Sequence, residues 1–144
     1  MITPSPTTPI DPAVARGTFL TRTPATATSP ECLVLGIPNT SYELHLRPTA
    51  GVSTPIGKRL LGVIRVEARR IDRPGTGGKF IEPVFGRPRR VQGTVIRIEQ
   101  GAVVVDAGAP IHLVPLDPRQ SPESFTPGEL VSCDVMDGAT FSPR

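Results

Sequence analysis

The 144-residue chain contains no tryptophan, one tyrosine and five phenylalanines. Aromatic stacking, worth about 1–3 kcal/mol per base in single-strand recognition, has few residues to draw on here. Cysteine and histidine are as scarce: Cys32 and Cys133, His45 and His112. Four such residues spread over the chain make no metal-ligand cluster, so neither metal nor cofactor is expected. The cysteines, about one hundred residues apart in apolar segments, read as small buried hydrophobes. No apolar run approaches the roughly 18 residues of a membrane span. No phosphate-binding glycine loop and no nucleophile–base motif is present. The carboxylates Glu67, Asp72, Glu82, Asp106, Asp117 and Asp134 are dispersed, whereas general acid–base work needs positioned, perturbed groups. The chain is therefore not expected to be an enzyme.

The first thirty residues lack the marks of an export signal. The first basic residue is Arg16, and no apolar stretch of about 7–15 residues follows it, so a cytoplasmic location is expected. Thr, Pro, Ala and Ser dominate this segment, and frequent prolines oppose both helix and sheet. Residues 1–30 are expected to be a disordered or weakly docked tail, with Val14, Phe19 and Leu20 as an anchored piece within it.

What is present is apolar content and arginine. Leu, Ile, Val and Phe make up 39 of the 144 residues, enough for a core. Of 16 basic residues 14 are arginine. Residues 58–97 hold 11 basic and three acidic side chains, and the remainder five basic and ten acidic. A net charge of +3 thus hides a dipolar chain. Such asymmetry points to a polyanion or an acidic partner; the competing reading is a set of solvated strand faces.

Strand patterns run through the body of the chain. Tyr42, Leu44 and Leu46 alternate with Glu43, His45 and Arg47, and Ile64, Val66 and Ala68 alternate with Arg65, Glu67 and Arg69. Period-two alternation places the charges on one strand face. Strands are predicted over 31–37, 41–47, 59–71, 79–85, 91–99, 102–106, 109–116 and 129–136. Gln100-Gly101 predicts a tight hairpin turn. Gly75-Thr76-Gly77-Gly78 predicts a turn pairing 65–73 with 79–87, which would gather arginines on one face. Pro83, Pro88 and Pro115 belong at strand ends, edges or bulges. Seven or eight short strands at this spacing predict an all-β barrel or sandwich. One echo stands out: Thr54-Pro55-Ile56-Gly57 and Thr126-Pro127-Gly128 each follow a strand pair (33–46 and 91–105) and precede an apolar strand. Residues 31–144 read as one β-barrel domain, or as two small barrel motifs over 31–86 and 87–137.

The C-terminal third has a recognisable order. Residues 90–98 (RVQGTVIRI) lead to Gly101-Ala102-Val103-Val104-Val105-Asp106, then Ile111-His112-Leu113-Val114-Pro115-Leu116, and finally a strand opened by Gly128-Glu129. Over residues 90–135 this resembles the OB-fold RNA-binding repeat of ribosomal small-subunit proteins and polynucleotide phosphorylase. The resemblance implies a small OB-like barrel that binds RNA and puts His112 at a family-type contact position. The family's stacking aromatics are missing: Gln100 and Val104 or Val105 stand in their region.

The expected function is a non-catalytic OB-like barrel binding RNA or a ribonucleoprotein surface. Its contacts would be Arg65, Arg69, Arg70, Arg87, Arg89, Arg90, Arg97 and His112, since guanidinium forks hold phosphate oxygens bidentately. The alternative is a β-barrel adaptor or assembly subunit. The acidic residues 99–144, with seven acids against two bases, would then meet a basic face of a protein partner or of a second copy. No membrane partner is expected.

Overall fold

A computed structural model describes residues 11–144. The chain is all-β. Its strands are β1 (Ala15–Thr23), β2 (Cys32–Gly36), β3 (Glu43–Pro48), β4 (Arg59–Ala68), β5 (Phe80–Glu82), β6 (Phe85–Gly86), β7 (Arg90–Glu99), β8 (Ala102–Asp106), β9 (Pro110–Pro115), β10 (Leu130–Asp134) and β11 (Thr140–Pro143). One 3-10 turn covers Pro122–Ser124. Among the described residues no helix is long and apolar enough to cross a membrane.

Five strands close a barrel in the order β1-β2-β3-β11-β4 and back to β1. Only the β3–β11 pair is parallel. A second ring follows the order β4-β9-β8-β7-β10, again with one parallel pair, β4–β9. It returns to the β4 end of the chain through the antiparallel bridges Ala68↔Val135 and Asp72↔Ser132. Strand β4 serves both rings: Arg59 to Gly62 face β1, and Arg65 to Ala68 face β9.

The two rings repeat one pattern. Gly17-Thr18-Phe19 of β1 corresponds to Gly93-Thr94-Val95 of β7. Each strand carries a register shift at the same place, between Phe19 and Thr21 and between Val95 and Arg97. The turn before the fourth strand is tied identically in both. Gly57 N–H donates to the Phe19 carbonyl and Phe19 N–H to the Lys58 carbonyl, while Gly128 donates to Val95 and Val95 to Glu129. Gly57 and Gly128 both hold positive φ, 92° and 96°, a conformation glycine adopts without steric cost. The echo in the sequence therefore marks equivalent turns, but the repeating unit begins at β1 and β7. Its fifth strand is exchanged: β11, from the second half, completes the first ring, and the end of β4, from the first half, completes the second.

Residues 13–23 are the longest proline-free window of the first thirty, which is why β1 forms there. Ala15, Gly17 and Phe19 point inward and Arg16, Thr18 and Leu20 outward. This corrects the tail expected over residues 1–30: from Ala15 to Thr23 the segment is a barrel strand. The remainder of that expectation, residues 1–10, lies outside the described residues. The Gly75–Gly78 turn is corrected too. It makes no hairpin with β4; β5 pairs with β7, and the buried Gln92 amide donates to the Gly78 carbonyl at 2.9 Å. The hairpin at Gln100-Gly101 is present, with φ of 48° and 74°.

The core is continuous across both rings. Phe19, Leu33, Leu35, Leu44, Leu46, Ile64 and Phe141 fill the first, and Val91, Val103, Val105, Ile111, Leu113 and Val131 the second. Cys133 lies in this core and Cys32 at its edge, both as free thiols.

Candidate nucleic-acid interface

The eight residues expected to contact RNA separate into three groups. Arg65, His112 and Arg97 share one cross-strand row over β4, β9, β8 and β7, with Val104 between the last two. The protein's own chain covers this row. His112 is 2 % exposed, and its Nε2 lies 2.8 Å from the Ala13 carbonyl. Arg97 is held between Asp11, at 2.8 Å, and Glu99, at 2.6 Å, which raises its pKa. The Ala13 N–H and the Arg97 guanidinium together keep the Asp11 carboxyl below the usual carboxylate range. Arg65 donates to the Gln100 carbonyl. His112 therefore makes an internal hydrogen bond and offers no edge to a base, and Arg65 and Arg97 already have partners in the chain.

Arg70 and Arg87 stand apart from each other. Arg70 pairs with Asp72 at 3.0 Å and lies beside Asp117, Arg119 and Gln120. Arg87 pairs with Asp137 at 3.1 Å and lines a different cleft, with His45 and Arg47.

Arg69, Arg89 and Arg90 do come together. They line an open cleft whose walls are Glu82, Pro83, Asp134 and Val135. The main chain fixes the three. Arg69 N–H donates to the Asp134 carbonyl, Arg89 N–H to the Glu82 carbonyl, and Val135 N–H to the Arg89 carbonyl, all at 2.8–2.9 Å. The Arg90 guanidinium bonds Asp134 Oδ1 at 2.8 Å and Ser132 Oγ at 3.1 Å. Arg69 and Arg89 form no ion pair among the described residues, and both are exposed. Their guanidinium groups are thus free to take a hydrogen-bond acceptor such as a phosphate oxygen. Of the arginines expected on one face the structure brings these three together, and by another route than the expected hairpin: the approach of β10 to the end of β4.

No stacking platform accompanies the cleft. Phe19, Phe125 and Phe141 are core residues, and the exposed aromatic is Phe85, 62 % accessible. Phe85 packs its ring edge-on against His45 at 4.8 Å. Sequence reasoning did not single out Val84 and Met136, next to the cleft residues Pro83 and Val135 in the chain, which stay exposed. Among the described residues no group of three His, Cys, Asp or Glu could hold a metal. No family model, no curated protein and no solved structure matches this chain.

Proposed function

We propose that the protein is a non-catalytic, cytoplasmic binding module that holds an RNA phosphate backbone in the Arg69–Arg89–Arg90 cleft. The observation carrying this reading is that Arg69 and Arg89, free of ion pairs among the described residues, converge with Arg90 on one open cleft. The OB reading draws support from ring order, since each ring is a five-stranded Greek-key circuit of the kind such barrels use. With no stacking aromatics at the cleft, affinity comes from phosphate contacts and depends little on sequence.

Labelled single-stranded RNA in a fluorescence-anisotropy titration tests this. Three phosphate contacts give a log–log salt slope of about −2, or roughly a twentyfold loss of affinity between 50 and 200 mM salt. The double variant Arg69→Glu/Arg89→Glu is expected to abolish binding, while Arg65→Glu leaves it intact. Absence of binding at 50 mM salt overturns the reading. A protein-adaptor role then takes its place, favoured by the exposed Val84 and Phe85 (48 % and 62 % accessible).

A further inference from the structure

The repeat relates the two His-bearing strands. In the second ring His112 pairs across the sheet with Val104, which pairs with Arg97; in the first, His45 pairs with Val34, which pairs with Thr21. The sequences agree as well, Leu44-His45-Leu46-Arg47-Pro48 against Ile111-His112-Leu113-Val114-Pro115. Over the second ring a turn of the chain, Asp11 to Val14, closed by the Val14 N–H donating to the Asp11 carbonyl, satisfies the row: the Ala13 carbonyl meets His112 Nε2, and the Asp11 carboxylate meets Arg97. Over the first ring no described residue supplies such a carbonyl or carboxylate, and the Phe85 ring lies edge-on against His45 instead. His45 Nε2 is buried without a hydrogen-bond partner, a costly state for a polar atom.

The surroundings of His45 say what would fill it. The cleft, about 190 Å³, is lined by Thr23, Cys32, His45, Arg47, Arg87 and Gly138 among others. Its size suits one side chain with its adjoining backbone. Arg47 has no ion pair among the described residues, and Arg87 has only the exposed contact with Asp137. Arg87 precedes Gly93 by six residues, as Asp11 precedes Gly17, so the repeat puts an arginine where the other half has an acid. The acid that completes the second ring's row from within the chain thus has no counterpart at the first ring.

We propose that the His45–Arg47–Arg87 cleft binds a short acidic turn of a partner protein, of the kind Asp11 to Val14 makes over the second ring. Its carboxylate is held by Arg47 and Arg87, which take the place of Arg97 because the first ring has Thr21 at that row position, and one of its main-chain carbonyls meets His45 Nε2 as the Ala13 carbonyl meets His112. This site is separate from the Arg69–Arg89–Arg90 cleft and does not depend on RNA binding there.

The probe is a capped peptide with an Asp-Pro-Ala core, followed by NMR of the His45 and His112 imidazoles in the full chain. The expected result is a saturable shift of His45 with His112 unmoved, no such shift with the Asn-Pro-Ala peptide, and about tenfold or greater weakening in Arg47→Gln, the loss of one charge-assisted hydrogen bond. Arg47 is exposed, so this variant is expected to keep the wild-type melting temperature. The proposal is overturned if His45 does not respond at millimolar peptide, if the Asn peptide binds equally, or if the shift appears at His112. Equal response to inorganic phosphate, or an RNA oligonucleotide that shifts His45 where the peptide does not, also overturns it. Arg69→Glu/Arg89→Glu leaves peptide binding unchanged, which separates failure of one site from failure of the other.

Discussion

At the scale of single residues, close backbone approach and burial govern the largest effects. A Cβ built on Gly93 collides with the Asp106 carbonyl, and one on Gly17 falls 2.6 Å from Leu35 Cγ and 2.7 Å from the Gly36 carbonyl. These are equivalent positions, and main chain cannot move aside as a flexible side chain does. Gly93→Ala is expected to cost about 1–3 kcal/mol or more, the range for overpacked interiors, whereas Gly75→Ala, which meets open space, stays within about 0.5 kcal/mol; urea denaturation compares them. Cys133 offers a second residue-scale test. Burial pushes its thiol up to about 12 from 9.0. Between those values the unfolded chain releases a proton that the folded chain retains, so this contribution to stability is present below pH 9.0 and is lost as pH rises toward 12. The slope is at most about 1.4 kcal/mol per pH unit. In Cys133→Ala the fall in stability between pH 9 and 11 is expected to flatten, and a native-state thiol reagent at pH 8 should leave Cys133 unmodified.

At the scale of elements, strand exchange concentrates dependence on short pieces. Strand β11 has four residues, yet it bridges β3 and β4 and puts the fully buried Phe141 into the first barrel. Phe141→Ala is expected to cost about 3–5 kcal/mol, far more than the position near the end of the chain suggests, and thermal melting reads it. The segment 11–14 is held differently, by Asp11 on Arg97 and by Ala13 on His112. Arg97→Ala is expected to speed amide exchange across residues 13–15 while the melting temperature falls little, because an exposed ion pair contributes only about 0–1 kcal/mol. Unchanged exchange there would show that the carbonyl contact with His112 alone holds the segment.

At the scale of the whole molecule, neither half contains a complete ring. Residues 1–75 lack β11, and residues 76–144 lack the strand supplied by the end of β4. Each fragment alone is expected to be unfolded by circular dichroism and NMR, and the two mixed are expected to regain the native spectrum. A well-dispersed spectrum from either fragment alone would show that its fifth strand is dispensable. The same interleaving explains the charge distribution. Basic residues 58–97 and acidic residues 99–144 belong to one intertwined body, and pairs such as Arg73–Glu129, Arg87–Asp137 and Arg90–Asp134 join the two stretches. Part of the dipole along the sequence is therefore neutralised in space, and within residues 58–97 five basic side chains, Lys58, Arg59, Arg65, Arg69 and Arg89, stay free of ion pairs among the described residues.

The strands between residues 31 and 136 were legible in the sequence, because period-two alternation states which side chains are buried without reference to any partner, whereas β1 and the four-residue β11 were not. The Gln100-Gly101 hairpin was legible for the same reason: two adjacent residues with positive φ define the turn locally. The paired Thr-Pro turns announced a repeat. Where the repeat begins was obscured by proline-rich flanks, which masked β1, and by the β5–β6 insertion, which shifts the spacing. Strand pairing was decided only in three dimensions. Whether β5 joins β4 or β7 depends on which edge stays open after ring closure, and alternation is silent on that. The fate of the arginines was decided there too. Arg97 and Arg69 are alike in sequence, each on a strand in a basic stretch. Packing brings Asp11 onto the first and leaves the second free, because charge pairing depends on distance in space.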